Sequence, residues 1–443
     1  MRRERALLLL IVALFVGSIT ASIAQRVPFE NDESVYAIQA RAWATGGPTT
    51  GIGLQRAPLL PAIGSILYET GARSEWPFRL TGLVFGTSAV ILVWALGRAI
   101  AGPAAGLIGA ALFASAPSIQ QRSAQFLTDV PATAFLLALA LVLWRNRERA
   151  GPSLLLAAPI AAAAFYMRYA SILPIGLLAV VAVVLWHRSL LRDKRLAIGT
   201  IVLFAALLIP HMVRAMDATG RPWGLVTHTA KFAGRRYIGD GLVRYIGWWP
   251  HTLAGPVAGL AMVVGIGFAL ARRSRSTAFL VIPAVLDIVL IGLTEHGEPR
   301  LIFFPVALLC IAGAIALTNV ERARNATAVV LAGALLAGGA FTISHTATTR
   351  ARRMPPKLVG HVVAARAHHP CTVNAVEIAE TTWYTVCSTY YFGARPADFA
   401  VFYAGGGVRL NIQPREAPPG STEIGSPRYR GLVVATVYAL RGP

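Results

Sequence analysis

Eleven times along this chain an apolar run approaches the span of about 17 to 22 residues that crosses about 30 Å of hydrocarbon. The runs lie at 6–24, 78–98, 103–119, 129–145, 153–167, 170–187, 196–213, 253–271, 277–294, 301–318 and 326–345. A soluble core does not need so many runs of that length, and the bilayer is read as the main solvent. With 55% hydrophobic residues, 14% charged ones and a mean hydropathy of +0.58, the composition agrees. The run at 6–24 has the position of a signal peptide. It lacks a clear small-residue cleavage site and ten more runs come after it, so it is read as an anchor.

Charge orients the spans. The chain carries 41 Lys and Arg against 20 Asp and Glu, a net charge of +21. A nucleic-acid reader would gather such an excess on one soluble face with interleaved aromatics. Here much of it sits in short clusters between apolar runs, the pattern of basic residues retained in cytoplasmic loops. Placing the N-terminus inside puts Met1–Arg5, Arg98–Gly102, Arg145–Pro152, His187–Arg195, Arg272–Ser276 and Asn319–Asn325 on one side, with 16 basic residues in 39 positions. The opposite loops, among them 25–77 and 214–252, hold about 14 in more than 100 positions, a roughly threefold lower density. The segment 346–443 then lies outside.

That segment has no apolar run. Its Pro-rich entry, Met354–Pro356, and its alternating stretches, Thr372–Ile378 and Gly431–Tyr438, predict a small α/β extracytoplasmic domain. Cys371 and Cys387 would there meet an oxidising compartment, where a disulfide is expected. Cys310, inside a run, reads as packing.

Acidic residues near hydrocarbon are costly without a partner or a function. The densest group is Glu30, Asn31, Asp32, Glu33 in the first outer loop, just ahead of an amphipathic stretch, Ser34–Ala44. Asp32 there can cap a helix, do chemistry, or both. Asp129, in QRSAQFLTDVPATAF, opens the fourth run on the same face, so the two carboxylates can share a cavity. Arg56, Arg79, Arg122, Arg168 and Arg300 also lie on that face. Singly each is an interfacial anchor. Together they offer planar forks for a lipid phosphate. Asp287 lies within a run, paired to a neighbouring helix or part of a proton relay. No cluster has metal-ligand spacing, and His368 and His369 are isolated.

At FENDESVYAIQARAW the sequence resembles the first outer loop of the GT-C glycosyltransferases, in the branch of protein O-mannosyltransferases and aminoarabinose transferases. Asp32, Glu33, Tyr36 and Ala37 match its Asp-Glu-x-x-Tyr-Ala pattern. RAPLLPAIGSILYETGARSEWPFRLTGLVFG comes next, with Arg56 where the family usually has Lys and Ala57 in place of its first Pro. RSAQFLTDVPATAF, MRYASILP and EHGEPRLIFFPVALL continue in family order over residues 1–320, with Leu301 where Tyr is usual after Arg300.

The resemblance implies an α-helical polytopic membrane protein of GT-C type with about eleven transmembrane helices. Residues 1–345 would form the catalytic domain, its loop 25–77 carrying the acid pair, and residues 346–443 the extracytoplasmic α/β domain. The implied enzyme is an inverting hexosyl- or pentosyltransferase of the cell envelope, in the inner membrane, with a polyprenyl-phosphate sugar as donor and a lipid, glycan or protein as acceptor. Asp32 would be the general base, its pKa raised by partial desolvation. Glu33 would support it and Asp129 position the acceptor or base. Arg56 and Arg300, with Arg122 and Arg168 behind them, would stabilise the departing phosphate. Tyr36, Arg79 and His296 fall in the matching segments as supporting residues. No cofactor or metal is called for, although other GT-C branches use a divalent ion and the Asp32–Glu33 pair leaves that open. A transporter or flippase is the competing reading, weakened by the lack of an internal repeat and of midplane polar sites. A catalytically inert scaffold that binds a partner through its outer domain is a third.

Overall fold

The structure, a computed structural model, describes residues 2–50, 56–231, 237–248, 254–319, 324–392, 394–404 and 416–440. Residues 320–323 of the expected cytoplasmic segment Asn319–Asn325 lie outside the described residues. Helix dominates. The helices are α1 (Arg2–Ala24), α2 (Asn31–Thr45), α3 (Leu59–Glu69), α4 (Glu75–Ala101), α5 (Pro103–Ser115), α6 (Pro117–Ser123), α7 (Asp129–Arg145), α8 (Ala157–Met167) and α9 (Ile172–Leu190). They continue as α10 (Lys194–Thr219), α11 (Gly224–Lys231), α12 (Asp240–Trp248), α13 (Gly255–Arg272), α14 (Arg275–Thr294), α15 (Phe303–Thr318), α16 (Arg324–Ala364) and α17 (Ile378–Thr385).

Among the described residues eight helices are long and apolar enough to cross a bilayer: Arg2–Ala24, Glu75–Ala101, Tyr169–Leu190, Lys194–Thr219, Gly255–Arg272, Arg275–Thr294, Pro299–Thr318 and Val329–Ala364. The protein is a multi-pass membrane protein. Each of the eight coincides with an expected run. The other three runs, at 103–119, 129–145 and 153–167, are helical but shorter. Pro117 explains the first: it drives Ala116 out of the helical region, to φ −66° and ψ 117°, so α5 stops at 13 residues and α6 starts anew. In the third, Pro152–Leu156 is 3₁₀ and α8 has 11 residues before Arg168 turns extended at φ −156°. The second, α7, has 17 residues.

By packing, the chain forms two compact units, and the division is not collinear with sequence. The first comprises Met1–Ala21, Ala57–Leu59 and Leu80–Ile343; the second comprises Ser22–Arg56, Leu60–Arg79 and Ser344–Pro443. In the first unit α15 is the central helix, with Phe303 through Ala316 buried. Small residues set its contacts. A Cβ added at Gly313 would overlap the Ala261 carbonyl of α13, and one at Gly265 would overlap the Gly313 backbone. Backbones that close need glycine at both places.

The second unit holds a five-stranded sheet with β1 (Thr372–Asn374), β2 (Ser388–Tyr390), β3 (Phe399–Tyr403), β4 (Thr422–Gly425) and, after the hairpin β5 (Arg428–Tyr429) and β6 (Leu432–Val433), β7 (Ala435–Ala439). The order is β2-β1-β3-β7-β4, with β1 parallel to β2 and β3, and β7 antiparallel to β3 and β4. Two stretches differ from their alternating pattern. Thr372–Ile378 keeps only three residues as strand before α17, and 431–438 breaks at Val434 into β6 and β7. Cys371 and Cys387, one residue ahead of β1 and β2, form the expected disulfide.

Met354–Pro356 does not open a new domain: Pro355 and Pro356 lie inside α16, which continues to Ala364. Burial offsets the two missing N–H donors. Val359 and Val363, four apart on one helical face, pack fully buried with Val373, Val401 and Val437 of the sheet. Substituting Gly313→Val forces α13 and α15 apart, and overpacking of this kind costs about 1–3 kcal/mol or more. Thermal unfolding in detergent should show it. Gly176→Ala, with open space around the added Cβ, should leave the melting temperature unchanged.

Candidate functional site

In the second unit, Glu30 is the N-cap of α2, in extended backbone at φ −80° and ψ 165°. Glu33, three residues on, accepts the Glu30 N–H through Oε2 at 3.0 Å, the return half of a capping box. Asp32 is therefore a first-turn residue and not the cap. The two neighbouring acids face different partners because successive helical side chains project about 100° apart.

Glu33 is fully buried. Arg79 grips it in fork geometry, with Nε 2.8 Å from Oε1 and Nη2 2.9 Å from Oε2, and Arg353 Nη1 stands 3.5 Å away. Burial pushes the Glu33 carboxyl up, but Arg79, the Arg353 charge and the Glu30 N–H outweigh it and bring it below the ordinary glutamate value. Arg79 also donates to the Val27 carbonyl at 2.5 Å and the Pro28 carbonyl at 3.2 Å. Expected as a site residue, it knots the start of α4 to the entry of α2.

Asp32 is partly open, with a side chain 20% exposed, and Arg56 Nη2 reaches its Oδ1 at 2.6 Å. The Arg56 guanidinium lies 5.3 Å over the Tyr36 ring, and its Nη1 is 3.4 Å from the Tyr36 hydroxyl. Burial works against the Arg56 charge, but Tyr36 and Asp32 more than offset it and raise its pKa, so the cation is permanent. Asp32, Tyr36 and Arg56 thus form one constellation: an accessible carboxylate, a fixed cation and a phenol. Around it, Arg41 donates to the Trp383 and Thr382 carbonyls at 2.8 and 2.9 Å. Glu75 accepts from Lys357 at 2.7 Å and from the Tyr384 hydroxyl at 2.8 Å.

The first unit holds the other expected residues. Arg168 Nη1 meets Asp129 Oδ1 at 3.2 Å and the Arg300 carbonyl at 3.4 Å. Glu298 takes Arg300 Nε on Oε2 and His296 Nε2, at 3.0 Å, on Oε1. Asp129, Arg168, Arg300 and Asp287 line one cavity. Arg122 is not among its lining residues; it donates to Gln125 Oε1 at 2.9 Å. Asp287 is 1% exposed and its Oδ1 has no hydrogen-bond partner, while the charge of Arg168 acts on its carboxyl.

Three participants escaped the sequence. Glu298 stands two residues before Arg300 in EHGEPR, and that spacing was a usable signal. Arg353 and Tyr384 approach α2 from more than 300 positions away, with no pattern to announce it. Among the described residues one cluster of potential metal ligands occurs, His369, Cys371 and Cys387, and its two sulfurs are bonded to each other.

Residues 55–213 match the family model described as dolichyl-phosphate-mannose-protein mannosyltransferase. ArnT from Cupriavidus metallidurans, in a crystal structure bound to undecaprenyl phosphate, superposes with a TM-score of 0.74 at 14% identity, over 98% of this chain and 99% of that one. The chain has the fold of the GT-C glycosyltransferases. The apo form of the same ArnT gives a TM-score of 0.73 at 15% identity, covering 98% of both chains. The Archaeoglobus fulgidus oligosaccharyltransferase AglB, in complex with an inhibitory peptide and a dolichol-phosphate, gives 0.58 at 12% identity, over 86% of this chain and 64% of that one. No curated protein sequence matches. The ArnT-type GT-C fold extends over nearly the whole chain, including the C-terminal sheet, beyond the residues 1–320 of the sequence resemblance.

Arg79→Met leaves Glu33 buried without its main partner, a loss of about 3–5 kcal/mol. Arg79→Met combined with Glu33→Leu should recover much of it, measured by denaturation in detergent. Glu33 titrates lower folded than unfolded, so its contribution is whole above its unfolded pKa of about 4.3 and is lost as pH falls through the folded value. The acid limb of the stability curve should flatten in the double variant.

Proposed function

We propose that this protein moves a glycosyl unit from a polyprenyl-phosphate carrier to an acceptor hydroxyl on a lipid, glycan or protein, with inversion at the anomeric carbon. The observation that carries the reading is the Asp32–Arg56 pair: a partly open carboxylate 2.6 Å from a partly open, permanent cation, in a fold shared with a protein crystallised with undecaprenyl phosphate.

In the proposed step Asp32 takes the proton of the acceptor hydroxyl as the acceptor oxygen bonds to the anomeric carbon. The bond from that carbon to the phosphate oxygen breaks on the opposite face, and its electron pair leaves with the polyprenyl phosphate. Arg56 meets the negative charge gathering on the leaving group, where a fixed cation lowers the barrier most. Tyr36 holds the guanidinium plane. Glu33 acts through Arg79 to fix the first turn of α2 on which Asp32 rides. In the first unit Asp129, Arg168 and Arg300 line one cavity and are assigned to binding the donor.

The membrane is the bacterial inner membrane, with the N-terminus cytoplasmic and residues 346–443 outside, supported by the roughly threefold asymmetry of basic residues. An alkaline phosphatase reporter fused after residue 440 should be active, and an inactive fusion in an inserted protein would reverse the orientation. The fold match favours an enzyme over a transporter.

Purified protein in nanodiscs, given a panel of radiolabelled polyprenyl-phosphate sugars and acceptors, should release polyprenyl phosphate from at least one donor. Asp32→Asn should lower that rate by about 10²- to 10⁴-fold, the usual worth of general base catalysis, while the protein stays folded. Arg56→Ala should lose rate and donor affinity together. Full turnover by Asp32→Asn would remove the mechanism.

A further inference from the structure

The cavity of the first unit contains a carboxylate that the proposed reaction does not use. Asp287 sits in α14, seven residues before Thr294, about 10 Å along the axis from the C-terminal end of that helix. It is 1% exposed, and its Oδ1 accepts no hydrogen bond. A buried carboxylate oxygen without a donor costs several kcal/mol, a cost the fold sustains across a helix otherwise free of acids.

The surroundings of Asp287 narrow the missing donor. Asp287 lines the cavity with Asp129, Arg168, Ser171 and Arg300. The two cations are already engaged, Arg168 with Asp129 at 3.2 Å and Arg300 with Glu298. Thr133, also on the wall, turns its hydroxyl back to the Asp129 carbonyl at 2.9 Å. The free space is about 20 Å³, room for one water-sized group. A phosphate is too large and would face two carboxylates. A single hydroxyl or ammonium group fits the space and supplies the proton that Asp287 Oδ1 lacks.

We propose that Asp287 is a specificity residue: it accepts a hydrogen bond from one hydroxyl or amino substituent of the donor's glycosyl unit, which enters the slot beside Asp129 and Arg168. This rests on the glycosyltransferase reading and adds which part of the donor the first unit recognises. A site built to hold a substrate hydrogen-bond donor discriminates sharply, because an analogue without it leaves the buried acceptor unpaired. Asp287 takes no proton in the reaction; it selects which sugar is held.

The test is binding to the full chain in nanodiscs, with bare undecaprenyl phosphate beside undecaprenyl-phosphoryl hexoses, pentoses and an amino sugar, for wild type, Asp287→Asn and Asp287→Ala. The expected result is unchanged affinity for the bare lipid. Affinity for the preferred glycosylated lipid should fall about ten- to a hundredfold in Asp287→Ala, the worth of a hydrogen bond to a charged group, and less in Asp287→Asn, which keeps an acceptor. Loss confined to the amino sugar identifies an ammonium; loss with neutral sugars identifies a hydroxyl. Equal loss for bare and glycosylated lipid in both variants, or no loss in either, overturns the proposal and leaves Asp287 structural. If the wild type binds neither class of lipid, the glycosyltransferase reading itself falls.

Discussion

The buried pair of Glu33 and Arg79 is the contact on which the arrangement of the second unit around α2 depends. One guanidinium satisfies both oxygens of a carboxylate that has no access to water, and two backbone carbonyls ahead of the helix as well. Either partner alone would be an uncompensated charge in a low-dielectric interior. Together they fix where α2 begins and how its first turn is rotated. That rotation leaves Asp32, one residue earlier, partly in the open and within reach of Arg56. Two adjacent acids thus stand in separate settings, one buried and holding the backbone, one partly open beside Arg56.

Much of the membrane architecture was legible because lipid tolerates few solutions for the backbone. Eight apolar runs coincide with helices long enough to cross, the last of which, α16, runs on well past the expected limit to Ala364. The three shorter ones show what hydropathy does not carry: Pro117 acts on the residue before it, and Arg168 adopts an extended conformation that splits α8 from α9. At Pro355 and Pro356 the local rule fails in the opposite direction. Two prolines that read as a boundary sit within α16, since the buried stripe of Val359 and Val363 holds the turns beyond them. The sheet was visible only as a tendency, because strands of two to five residues leave too short a pattern.

Around Asp32, the residues that the sequence pattern names together are those whose neighbours are local. The pattern from Asp32 to Tyr36 and the basic residue at 56 lie within one loop, and their contact needs no distant segment. Arg79 was found but its task was not, because a spacing cannot tell whether a guanidinium faces a ligand or a buried carboxylate. Arg122 was drawn into the same group by its position at a span end, yet its partner is a neighbouring glutamine. Asp287 was noticed as an acid within a span. Its significance is the missing hydrogen bond to Oδ1, which no sequence pattern announces.

The disulfide between Cys371 and Cys387 encloses α17, whose Thr382 and Trp383 carbonyls receive the two bonds of Arg41 from α2. The covalent loop therefore belongs to the support of the helix that carries Asp32. Such a bond forms only where thiols are oxidised, so maturation of this protein is tied to the oxidative machinery of the cell that makes it. Preparations kept in strong reductant, or produced in a host deficient in thiol oxidation, would contain protein with this brace open. Variation in stability between preparations then becomes a matter of redox history as much as of lipid or detergent.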